Sequence, residues 1–303
     1  MKKDLILENA KDRDQERVIK NKSALSLSDL IFLKSSTDIG TIRNMGRRGS
    51  NFAPEAILSV VKKLSDHDCL KWSDIEIGNL LLEEENFDLA QNEYISHILA
   101  LTKDNQHKKW IHLGGGHDHV YPFLMGLNQI HKHITVINID AHLDTRTDSF
   151  KNSGTPFRQF AENHEGEFTL IQIGIHDFAN TKSTMTNLPR TKEVVATYED
   201  IIKLTNYFTN FESVFNRLIP YDPKQTYVFS LDADALCAGV MEGVSAVNHR
   251  GLPYHFVEEI LNYSLKTLKA KHFGIYEYNP VYDNLSQKGA RALAGLIYQV
   301  MDN

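Results

Sequence analysis

The chain has 303 residues, 42% of them hydrophobic, and a formal net charge of −6. That is enough apolar material for one large α/β core, and the acidic balance offers no basic footprint for nucleic acid. Cys69 and Cys237 are the only cysteines, too few for a disulfide framework, which points to a reducing compartment and the cytoplasm.

In chain order, residues 1–25 come first. This stretch mixes charges of both signs and lacks the apolar core, about 7 to 15 residues long, of a secretory signal, so it reads as a peripheral surface helix or arm. Compact, β-branched runs of strand length then follow at Leu30 to Leu33, Ile75 to Leu81, Trp110 to Leu113, Ile134 to Ile139, Leu170 to Ile175, Val194 to Thr197, Tyr227 to Leu231 and Phe273 to Tyr278. Helical spacing occupies Ala56 to Leu64, Glu93 to Leu101, His255 to Leu268 and Gly289 to Val300. This alternation predicts an α/β/α sandwich around a mainly parallel sheet of eight strands. No linker, repeat or low-complexity tract divides the chain, so residues 1–303 are expected to form a single domain. No run approaches the roughly 18 apolar residues of a membrane span.

Three short motifs follow predicted strands: GGGHD with His117, NIDAHLDTR with Asp140, His142 and Asp144, and SLDADAL with Asp232 and Asp234. In open α/β sheets, groups just beyond the carboxyl ends of different strands meet in one crevice. Four carboxylates and two imidazoles form a hard, oxygen-rich set whose formal charge of about −4 balances two divalent cations. The alternate spacing in the second and third motifs predicts extended backbone that turns the ligands to one side. A lone DxD or GGGH is a common capping or structural pattern. The GGG also lacks the GK[ST] or GxGxxG context of a phosphate loop, so the weight lies on the joint occurrence.

The blocks LGGGHDHVYP, INIDAHLDTR and SLDADAL, followed by YEYNPVYD, resemble the signatures of the ureohydrolase superfamily: arginase, agmatinase and formimidoylglutamase. TDIGTIRNMGRRGSNFAPEAI at 37–57, NSGTPFRQF at 152–160, FANTK at 178–182 and GVSA at 243–246 resemble formimidoylglutamase elements. The resemblance implies an arginase-like fold, a trimer or hexamer, and two manganese ions per subunit bridged by hydroxide. His117, Asp140, His142, Asp144, Asp232 and Asp234 would be the ligands, although Fe, Co or Zn could occupy similar donors.

The implied reaction is hydrolysis of N-formimidoyl-L-glutamate to L-glutamate and formamide in histidine degradation. A guanidino hydrolase releasing urea is the alternative, and a catalytically silent metal-binding homologue a third reading. By the same resemblance Asp144 carries a proton between nucleophile and leaving nitrogen, while Glu277, ending the eighth run, is placed to pair with the amidinium. A substrate with two carboxylates calls for a fixed cation or polar donors, for which Arg158, Ser153, Thr155, Asn180 and Arg47 are the candidates. Relatives often carry an Asp near Cys237, a Pro near Glu242 and an Arg at His176. An acidic Glu242 at the substrate mouth would oppose a dianion.

Overall fold

The computed structural model describes residues 13–182, 184, 187–207 and 211–303, with 204–207 as backbone alone. Its eight strands are β1 (Leu30–Ser35), β2 (Trp72–Glu76), β3 (Lys109–Gly114), β4 (His133–Ile139), β5 (Glu167–Ile175), β6 (Thr191–Thr197), β7 (Thr226–Asp232) and β8 (His272–Tyr276). They form one sheet in the order β2-β1-β3-β8-β7-β4-β5-β6, with every neighbouring pair parallel.

Because side chains alternate across a strand, each central strand feeds two cores. Leu30 and Phe32, Ile137 and Ile139, and Phe229 and Leu231 face a cluster completed by helices Ala53–Val61, Tyr254–Lys266 and Lys288–Met301. Ile31 and Leu33, Ile134 and Val136, and Val228 face the opposite cluster, under helices Phe87–Asp104, Val120–Asn128 and Pro156–Asn163. The near-continuous apolar runs thus arise from a sheet covered on both faces, which is the three-layer arrangement expected. Among the described residues, no helix is long and apolar enough to cross a membrane.

Two predicted runs are displaced. The one read over Ile75 to Leu81 lies earlier, at Trp72–Glu76, and Leu80–Glu85 is a helix instead. The Asn79 side chain accepts the N–H of Leu82 at 3.1 Å and so caps that helix. The last run stops at Tyr276, two residues short of Tyr278, because Glu277 takes a left-handed φ of 60°.

Residues 1–12 of the opening segment lie outside the described residues. Beyond them the segment is fastened down: the Val18 N–H donates to the Leu64 carbonyl at 3.0 Å, and the Val18 carbonyl accepts Trp72 Nε1 at 3.0 Å. With Val18 fully buried, this stretch is not a detached arm.

Candidate metal centre

Four adjacent strands, β3, β8, β7 and β4, deliver the chemistry from their carboxyl ends. After β3 the chain passes through Gly114 to Gly116 into a turn that opens at His117. A Cβ on Gly115 would fall 1.8 Å from the Thr37 carbonyl oxygen, so this glycine permits a close approach to the loop after β1.

The two aspartate-rich motifs are turns rather than the extended runs their spacing suggested. An Asp140 carboxylate oxygen accepts the His142 N–H at 2.7 Å, and Asp232 accepts the Asp234 N–H at 2.8 Å. In each case the first aspartate bonds the backbone two residues on, the local competition that draws Asp out of regular structure. The alternate spacing still brings the side chains together, through the turn. The 140–144 loop is held from outside as well. Asn180 accepts the Leu143 N–H and donates to the Ala141 and His176 carbonyls, all at 2.9 Å, while Gln172 donates to the Leu143 carbonyl at 2.8 Å.

His117 Nδ1 lies 2.9 Å from Asp144, 3.2 Å from Asp140 and 3.3 Å from Asp232, measured to one carboxylate oxygen each. It is fully buried, yet it has no hydrogen bond to any of them. Its other nitrogen sits 3.0 Å from the Ser230 hydroxyl, and its ring stacks on Tyr276 at 5.0 Å. His142 Nδ1 lies 3.2 Å from Asp234 and 3.6 Å from Asp140. The donors therefore fall into two groups, His117 with Asp140, Asp144 and Asp232, and Asp140 with His142 and Asp234. Within each group the donor atoms lie inside 4.8 Å of one another, and Asp140 belongs to both.

The electrostatics show what such crowding requires. Burial together with the Asp234 and Asp140 charges pushes the Asp232 carboxyl well above the carboxylate range, and burial beside Asp140 raises Asp144. Asp140 goes down, because the contacts with His117 and His142 outweigh its burial. The Asp234 charge raises the His142 imidazole, and the three carboxylates around His117 raise it against its own burial. Acceptor oxygens and a buried, unbonded imidazole nitrogen converging this closely suit divalent cations, which would cancel the repulsion. The donor set fits a pair of such ions.

A cavity of about 360 Å³ opens over His142, Asp144, Asp232 and Asp234. Glu277 lines it; one of its oxygens accepts the His117 N–H and the Thr41 hydroxyl, each at 3.0 Å, and the other has no hydrogen bond among the described residues. Burial pushes its carboxyl up to about 8, with Asp234 and Asp118 adding to the rise.

Of the five substrate-binding candidates, Ser153 and Asn180 line the cavity. Three do not. Thr155 is buried, its hydroxyl bonded to the Asn152 N–H and the Gln159 amide. Arg158 points behind the loop, donating to the Thr145 carbonyl at 3.1 Å. Arg47 is exposed and lies over the Tyr282 ring at 4.8 Å.

Sequence reasoning passed over Thr41, Asn44 and Arg146, which do line the cavity. Arg146 stands two residues beyond Asp144 in the same motif, and that adjacency was the available signal. Glu242 is not at the mouth either; it pairs with Lys288. His176 is buried, stacked between Phe178 at 4.7 Å and Tyr198 at 5.0 Å.

The family model described as the Arginase family matches residues 30–302. Among curated relatives, the formimidoylglutamase of Legionella pneumophila strain Philadelphia 1 is 28% identical over 301 residues, covering 94% of this chain and 89% of its own length. That of Staphylococcus epidermidis strain ATCC 12228 is 31% identical over 267 residues, covering 87% and 83%. Among solved structures, Trypanosoma cruzi formiminoglutamase with Mn2+ superposes with a TM-score of 0.78 at 22% identity, covering 94% of this chain and 97% of that one. This last likeness shows the shared fold.

Proposed function

The chain belongs to the arginase family, and from that premise we propose that it is a binuclear manganese hydrolase of N-formimidoyl-L-glutamate, yielding L-glutamate and formamide. The observation that carries this reading is the convergence of His117, Asp140, His142, Asp144, Asp232 and Asp234 into two donor groups sharing Asp140. The relatives named formimidoylglutamase support the choice of substrate.

Bound manganese supplies a water acidified toward neutral pH. The protein's own groups then direct the chemistry. An oxygen–carbon bond forms at the amidine carbon, and the bond from that carbon to the glutamate nitrogen breaks. Asp144 takes the proton of the attacking water and returns it to the leaving nitrogen. Cations held by the neighbouring aspartates would draw the raised Glu277 carboxyl back to its ionised form, and it then offers its unbonded oxygen to the amidinium, countering charge retained there as the adduct forms. Asn180 keeps the 140–144 loop in place, and Ser153 borders the substrate on the cavity wall.

Placement in a cytoplasmic histidine-degradation route, as a trimer or hexamer, belongs to the same proposal. The unpaired Cys69 and Cys237 support a reducing compartment.

Product analysis of the manganese-loaded protein is the direct test. Formamide and glutamate are expected from formimidoylglutamate, with no urea from arginine, agmatine or guanidino acids. Urea from one of these, with formimidoylglutamate untouched, would replace the proposal with a guanidino hydrolase; inertness toward the whole panel would leave a silent metal-binding homologue.

Replacing Glu277 with glutamine keeps an oxygen for the His117 N–H and the Thr41 hydroxyl but removes the charge. Metal content should be retained while kcat falls by about tenfold or more, the scale of one charge-assisted contact made in the transition state. An unchanged kcat in Glu277→Gln would reduce the residue to a strut for His117.

A further inference from the structure

Tyr276 closes β8 one residue before Glu277 and is paired across the sheet with Asp232. Its ring is fully buried and stacks on the His117 imidazole, with centroids 5.0 Å apart and planes 25° from parallel. Two glycines make room for it. A Cβ on Gly114 of β3 would come 2.6 Å from Cδ1 of this ring, and one on Gly274 of β8 would come 2.5 Å from Cε2 and 2.7 Å from Cζ. The phenol oxygen sits 3.1 Å from His112 Nδ1, and His112 Nε2 sits 2.9 Å from the Ser35 hydroxyl. Burial holds His112 neutral, so its ring carries one donor and one acceptor nitrogen and ties the two hydroxyls into one chain. The phenol is thus anchored through β3 to β1.

His117 follows a run of three glycines, so the direction of its side chain has to come from what surrounds the ring. Phe157 meets it edge-on, at 5.5 Å and 89°, and Ser230 lies at Nε2. Tyr276 covers its face, the contact that sets the plane of the ring. An imidazole that holds a cation is electron-poor, and a phenol face is electron-rich, so the stack is stronger with the cation bound than without it. That difference adds to metal affinity. Resting on the metal-centre reading above, we propose that Tyr276 is a positioning residue: it fixes the plane of His117 and so raises the affinity of the His117, Asp140, Asp144 and Asp232 group for its ion, while the group of Asp140, His142 and Asp234 does not depend on it.

The test compares wild type with Tyr276→Phe, Tyr276→Leu and Tyr276→Met; methionine is included because its unbranched chain refills the space should leucine unfold the protein. Stepwise manganese Kd values are measured by chelator competition, together with the Tm of each metal-free protein. In Tyr276→Leu and Tyr276→Met the Kd of one ion is expected to rise about 30-fold, the scale of losing a group that orients a metal ligand, while that of the other stays within about threefold. Tyr276→Phe keeps the ring and loses only the bond to His112, so it should bind both ions as wild type does although its metal-free Tm is lower. Unchanged affinity for both ions in Tyr276→Leu and Tyr276→Met would overturn the proposal. So would equal weakening of both ions, the mark of general loosening, or a Tyr276→Phe protein as weak as Tyr276→Leu, which would move the effect from the ring to the hydroxyl. If wild type binds manganese but leaves formimidoylglutamate uncleaved, the functional reading fails alone, and the ratio of Kd values still decides for or against Tyr276. Wild type that binds no manganese overturns the metal centre and this proposal together.

Discussion

Asp232→Ala is expected to lose at least one metal ion per chain and about a thousandfold in turnover. The estimate follows from the several kcal/mol of charge stabilisation that a catalytic metal contributes, at about 1.4 kcal/mol per tenfold. Asp232 does two things at once. One oxygen approaches His117 in the four-residue group, and the other holds the Asp234 N–H and so aims the second group. The alanine variant removes both, whereas Asp232→Asn keeps a side-chain oxygen for the turn. Metal analysis and thermal unfolding of the two variants separate these roles: Asp232→Asn should lose metal while its metal-free form unfolds near the wild-type metal-free temperature. Full metal content in Asp232→Ala would defeat the ligand assignment.

The second large effect is expected at Gly115. An alanine Cβ there would lie 1.8 Å from the Thr37 carbonyl oxygen and 2.8 Å from its carbon, backbone atoms that cannot rotate away as a side chain can. The Gly115 N–H donates to the Ser35 carbonyl at 3.1 Å, and its own carbonyl accepts the Glu277 N–H at 2.8 Å. Displacing this residue therefore disturbs Glu277 and its neighbour His117 together. Overpacking of this kind costs about 3 kcal/mol, a fall in Tm of roughly 5 to 10 °C, with turnover reduced in step. Gly239→Ala is the control, because its Cβ would meet only Cys237 Sγ at 3.9 Å. A Gly115→Ala protein as stable and active as Gly239→Ala would show that the Thr37 loop yields freely.

Strand count and layering were legible because buried parallel strands leave apolar runs that outlast small errors at their ends. The LLL of 80–82 misled for a definite reason: apolar composition suggested a strand, but Asn79 supplies a cap that converts the stretch to helix. The six acidic and imidazole residues could be gathered from their positions after strands alone. Their mode of presentation could not, since an aspartate bonding its own backbone two residues on looks in sequence like an extended alternation.

Arginine direction was the least legible feature. Arg146 and Arg158 flank the same Ser153 to Thr155 loop, and only the fold shows that one faces the cavity and the other the Thr145 carbonyl. Arg47 and Glu242 fail similarly, because partners remote in sequence, Tyr282 and Lys288, draw them away.

β8 is the last strand in the chain, yet it lies in the middle of the sheet between β3 and β7. During synthesis the two flanking blocks, β2-β1-β3 and β7-β4-β5-β6, have no shared edge until residues 272–276 have emerged and slotted between them. His117 stays apart from Asp140 and Asp232 up to that moment. Assembly of the proposed metal centre would therefore be a late, whole-chain event, and a ribosome-stalled fragment ending before β8 would carry every proposed ligand and still be unable to bring the two donor groups together.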